Sequence, residues 1–82
     1  MKHIQRGYID GTSTSDGFIK IPLTGFTNLD KMVAFVDGVF HNNNANNNAA
    51  VAVAGLSLTE LSVSGYYTSA TGDFSYQVVE FE

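Results

Sequence analysis

The chain has 82 residues and carries four Lys or Arg against eight Asp or Glu, for a net charge of −4, with no Cys and two His. Without Cys there are no disulfides or thiolate metal sites. The scarce cations leave no footprint for a nucleic-acid backbone, and no apolar run approaches the ~18 residues of a membrane-spanning helix. At 15% charged and 44% hydrophobic, the composition is that of a folded chain, not a disordered one.

This length makes one domain. Surface scaling expects roughly 4,800 Å² exposed after folding and about 8,000 Å² buried. If about 60% of that is apolar, burial contributes on the order of 120 kcal/mol. Ordering the chain at about 1.5 kcal/mol per residue opposes it almost equally. Small domains in this position use a staple. His3 and His41 lie far apart in the chain, so no zinc site and no cofactor is predicted, and oligomerisation is the staple left. The opening MKHIQRGYID has no apolar signal-peptide core, so the chain is expected to be made and kept in a cytoplasm.

Val, Ile, Thr, Tyr and Phe dominate, helix formers are few, and Gly punctuates the chain; six strands are expected. The first covers about Lys2 to Asp10, with GTSTSDG (Gly11 to Gly17) as a loop. The second, Phe18 to Leu23, alternates Ile19, Ile21 and Leu23 against Phe18, Lys20 and Pro22. Pro22 donates no ladder hydrogen bond, which places this strand at an edge or end. The third, Lys31 to Phe40, is apolar on both faces, as in a strand covered on both sides.

His41 to Asn48 holds six Asn in eight positions and reads as a hairpin tip. The fourth strand is Ala49 to Gly55, the fifth about Glu60 to Tyr67, and the sixth Asp73 to Phe81. The fold class expected is all-β, a six-stranded antiparallel sandwich spanning residues 1–82 as one complete unit. Val33, Phe35, Phe74, Tyr76, Val78 and Phe81 are expected in its core.

Catalysis has little support in these residues. There is no G-x-S-x-G elbow, and His3 and His41 read as a polar strand residue and a solvated loop residue. Glu80 and Glu82 share a strand face, a spacing that marks a solvated edge more readily than a hydrolytic pair. DGTSTSDG (Asp10 to Gly17) fails the calcium-loop pattern, because Thr12 and Thr14 stand where carboxylates or amides belong. No enzyme is expected.

Asn42, Asn43, Asn44, Asn46, Asn47 and Asn48, with His41, are the unusual feature. They fit a tolerant loop tip, an amide ladder between subunits, or contact with a hydroxyl-rich glycan. Tyr66 and Tyr67 are a second glycan candidate, since an exposed ring stacks on a sugar. The small apolar residues Ala50, Val51, Ala52, Val53 and Ala54 are candidates for close subunit contact.

The ending Tyr76-Gln77-Val78-Val79-Glu80-Phe81 resembles that of small β-rich phage tail-fibre and virion proteins. The opening Ile4-Gln5-Arg6-Gly7 and the stretch Leu58-Thr59-Glu60-Leu61-Ser62-Val63 are similar to other parts of those units. The same ending resembles the H-type lectin fold, a six-stranded sandwich that assembles as a trimer. The resemblance implies that fold, a homotrimer, and a structural role in a tailed-phage virion beside other virion proteins, in a fibre, tail tip or capsid decoration. The alternative expectation is a lectin-like module that binds host surface glycans.

Overall fold

The computed structural model describes residues 1–82, and its strands form two antiparallel sheets. β1 (His3–Thr14) outruns its expected end at Asp10. Gly11 takes φ 67° in a bulge between Asp10 and Thr12, after which pairing resumes. Gly enters this backbone region without penalty, so the strand passes through what reads as a loop. The actual turn is 15–17. There Asp16 accepts hydrogen bonds from the Phe18 N–H (3.0 Å) and the Thr14 hydroxyl (2.8 Å), and these hold its carboxyl below the ordinary pKa.

β2 (Phe18–Pro22) follows, then a connection ending in the 3-10 turn Leu29–Lys31, capped by the Asn28 side chain. β3 (Met32–Asn42) and β4 (Asn48–Ala50) form the expected Asn-tipped hairpin. β5 (Ala52–Leu56), β6 (Glu60–Ser64) and β7 (Ala70–Glu80) complete the chain. One sheet has the order β1-β7-β3-β4 and the other β2-β6-β5. The fold is therefore all-β and sandwich-like, with β2 at an edge, as Pro22 requires.

There are seven strands rather than six. The AAVAVAG segment does not form one strand: it leaves the four-stranded sheet at Val51 and enters the three-stranded sheet at Ala52. Small alanines let the backbone turn between layers, and the Val51 N–H still bonds the Gly38 carbonyl at 3.2 Å.

The core lies between the sheets. Ile19, Ile21, Leu61 and Val63 of the smaller sheet meet Met32, Phe40, Phe74 and Val78 of the larger. Phe40 and Phe74 are fully buried with ring centroids 6.3 Å apart. A Cβ on Gly65 would fall 2.6 Å from the Phe40 ring, so a glycine is needed where that ring seats. The accessible surface, 4748 Å², agrees with the scaling expectation.

Of the expected core residues, Phe74 and Val78 are buried and Tyr76 is half-buried. Phe35, Phe81 and Val33 are instead 54%, 47% and 40% exposed. Both faces of β3 are apolar, so alternation alone left its orientation open. Pairing with β7 decides it: Ala34 and Val36 stand beside Val78 and Tyr76 on the inner face, which turns Val33 and Phe35 outward. Phe81 lies one residue beyond β7 and also stays outside the core.

Glu80 corrects a second expectation. Glu82 is exposed, but Glu80 is 1% exposed, on the inner face beside His3 and Met32. Its Oε1 accepts the Thr27 N–H and its Oε2 the Thr27 hydroxyl, both at 2.8 Å, and Lys2 Nζ lies 3.3 Å away. The bonds from Thr27, backbone first, hold the Glu80 carboxyl below its ordinary value. A buried carboxylate thus fastens the β2–β3 connection to the central strand.

Phe40→Ala is expected to destabilise the fold by about 3–5 kcal/mol, read as a lower urea midpoint. The depressed Glu80 carboxyl contributes stability above its ordinary value of 4.5, and that stability drains away as pH falls through the lowered folded value. Glu80→Gln should therefore be less stable near neutrality and show a flatter acid decline in urea midpoints. An unchanged acid slope would refute the clamp.

Candidate functional site

Of the residues singled out from the sequence, the Asn run, His41 and the Tyr pair come together near one end of the larger sheet, while Ala50 to Ala54 do not join them. The tip bends tightly: the Asn42 N–H donates to the Asn47 carbonyl at 2.9 Å, and the Asn44 N–H to the Asn42 side-chain oxygen at 2.9 Å. This is an Asx turn, the local closure for which Asn is suited.

Neighbouring amides have structural duties. The Asn43 oxygen accepts from the Thr71 hydroxyl at 2.9 Å, and its backbone N–H donates to the Ser69 carbonyl at 3.1 Å. Asn48 Oδ1 lies 2.7 Å from His41 Nδ1. The side chains of Asn44, Asn46 and Asn47 make no hydrogen bond within the chain and are exposed.

His41 Nε2 lies 2.9 Å from Asp73 Oδ2, and Asp73 Oδ1 accepts the Gly11 N–H at 2.8 Å. A His–Asp pair is also two-thirds of a hydrolytic triad. Here the second ring nitrogen is spent on the Asn48 amide rather than on a hydroxyl, so this pair anchors the hairpin tip to β7 and to the β1 bulge.

Tyr66 and Tyr67 come close to this tip. Their rings meet edge to face, 5.3 Å apart at 86°. Tyr67 is half-buried against the core, with its hydroxyl 3.5 Å from the Asn48 carbonyl, whereas Tyr66 is 85% exposed. One Tyr packs and the other projects. Asn42, Asn44, Tyr66, Tyr67, Thr68 and Ser69 together line a polar cleft of about 350 Å³. The sequence pointed to the first four; Thr68 and Ser69 carry no pattern of their own and join only because the β6–β7 connection runs under the Asn tip.

Ala50, Val51, Ala52, Val53 and Ala54 lie at sheet edges, Ala50 closing β4 and the last three in β5, with all but half-buried Val51 exposed. A second concavity, of about 600 Å³, lies on the outer face of the larger sheet. Register puts Arg6, Gln77 and Phe35 in one row there and Tyr8, Ser75 and Asp37 in the next. Tyr8 is 63% exposed, and Ile4, Val79 and Val33 form the row beyond Arg6. The alternation Ile4, Arg6, Tyr8 was the available signal for this face, obscured by Ile9 next to Tyr8.

No helix is long and apolar enough to cross a membrane. Set against known proteins, the chain matches no family model, no curated protein and no solved structure.

Asn48→Ala should remove one of the two contacts of the His41 ring, leaving the one to Asp73, and loosen the tip. The expected cost is about 1 kcal/mol in global stability, with faster hydrogen exchange at the Asn42 amide. Unchanged exchange there would mean that the turn holds itself.

Proposed function

We propose that this protein is a structural subunit of a tailed-phage virion, a homotrimer with an H-type-lectin-like sandwich in a fibre, tail tip or capsid decoration. It acts by assembly and surface display beside other virion proteins and performs no catalysis. The observation that carries this reading is the outer face of the larger sheet. Tyr8, Val33 and Phe35 leave that face rich in exposed apolar surface, the kind of patch that marks an interaction site.

A neighbouring subunit of the trimer is the occupant this face suits. Arg6 and Asp37 stand at diagonally opposite corners of its concavity, so the face offers that neighbour one charge of each sign around an aromatic centre. The near-balance of burial and chain entropy for so short a chain without Cys favours sharing apolar surface between subunits. The exposed Ala50 to Ala54 edge adds small side chains over which a neighbour can approach closely. The phage assignment rests on the resemblance of the Tyr76 to Phe81 ending and of the Ile4 to Gly7 opening.

Light scattering of the purified chain should give about 26 kDa, three times the chain mass of 8.8 kDa. Phe35→Asp should shift it to monomer without unfolding, because Phe35 lies outside the core. A stable wild-type monomer at micromolar concentration would sink the assembly reading. Phage particles made without the protein should lack a fibre, tip or decoration feature in electron micrographs, and particles of unchanged appearance would sink the virion assignment.

A further inference from the structure

We infer that the cleft between the Asn tip and the β6–β7 connection is a binding site for a neutral saccharide. The inference does not depend on assembly through the outer face, since the cleft is built within one chain and lies at the far end of β7 from Val33, Val79 and Phe81.

Four observations carry it. The first is a division of labour among the asparagines. The Asn42, Asn43 and Asn48 side chains help hold the turn, whereas Asn44 lines the cleft and its side-chain amide makes no hydrogen bond within the chain. A free amide can donate to one sugar hydroxyl and accept from its neighbour.

The second is the ring pair. Tyr66 is nearly fully exposed and meets Tyr67 edge to face, and Tyr67 is itself seated against the core. An exposed aromatic in solution usually gains by covering its ring. Tyr66 instead leaves its ring open beside the cleft, an amphipathic surface on which a pyranose can stack.

The third is charge. The cleft is lined by Asn42, Asn44, Tyr66, Tyr67, Thr68 and Ser69; none carries a charge at neutral pH. No cation is present to hold a phosphate, sulfate or sugar carboxylate, and no carboxylate to hold an ammonium group. Amide, hydroxyl and aromatic groups together suit a ligand that is polar and uncharged.

The fourth is size. About 350 Å³ lies at the small end of ligand clefts, roughly 300–1,000 Å³, and takes one or two sugar rings rather than a folded partner. The exposed amides of Asn46 and Asn47, further along the tip, would then meet the next ring of a longer chain.

The test is a titration of the isotope-labelled wild-type chain with neutral mono- and oligosaccharides (glucose, galactose, mannose and N-acetylglucosamine series), followed by NMR. Sialylated and sulfated oligosaccharides form the parallel arm. Saturable shifts at the Asn44 side-chain amide and the Tyr66 ring, with a neutral sugar, are expected. Tyr66→Ala and Asn44→Ala should each weaken binding by about tenfold, the equivalent of ~1.4 kcal/mol, while leaving the thermal midpoint in place. Phe35→Asp should leave binding untouched, which separates this site from the assembly surface. Silence of both resonances toward every neutral sugar, stronger binding of the acidic arm, or shifts confined to the outer sheet face would overturn the inference.

Discussion

A sandwich of two sheets buries one face of each and leaves the other to solvent, and a chain of 82 residues has no third layer to add. Everything else in this molecule follows from how that restriction is met. β7 lies between β1 and β3, and its inner residues Phe74 and Val78 meet the shorter strands β2 and β6. Its outer residues have only their neighbours in the sheet. Apolar side chains on β1 and β3 therefore divide into an inner set that makes the core and an outer set, Tyr8, Val33 and Phe35, that stays available for a partner.

Two carboxylates on β7 fix the parts of the chain that lie outside the ladders. Glu80, turned inward at one end, draws Thr27 and the β2–β3 connection onto the sheet. Asp73, turned outward nearer the other end, holds His41 and the β1 bulge at Gly11. The first works by satisfying a buried charge with strong donors, since such a charge left alone would be costly. The second is more exposed and serves position more than stability. The cleft inherits its shape from the Asp73 end, because the tip that forms one wall is anchored there through His41 and Asn48.

The sequence made the fold class legible, together with the Asn hairpin tip and the edge position of β2, because each rests on local chemistry: alternation, turn residues and a missing N–H. What it hid depended on pairing across long separations. Nothing local says that Gly11 permits a bulge rather than ending a strand, or that AAVAVAG changes sheets at Val51. β3 offered two apolar faces, and only its register with β7 selects Met32, Ala34 and Val36 for the interior. Glu80 looked like a surface charge because its partner, Thr27, is 53 residues away. For the cleft, the Asn run and the Tyr pair each stood out by composition. Their meeting did not, since it is made by the packing of the β6–β7 connection against the hairpin.

The register of the three long strands also decides how the molecule bears load. Glu80 pairs with His3 and Met32 at one end, and Ala70 with Thr14 and Asn42 at the other, in a body whose longest dimension is 44 Å. Antiparallel hydrogen bonds run perpendicular to the strands. Tension applied between the Asn tip and the opposite end is directed along β1, β3 and β7, so their bonds resist together in shear. Tension that draws Met1 and Glu82 apart acts across the first β1–β7 pair alone and peels the bonds in succession. The protein is stiff along its length and weak at one seam, so a neighbour that grips both strands at that seam would protect it from opening.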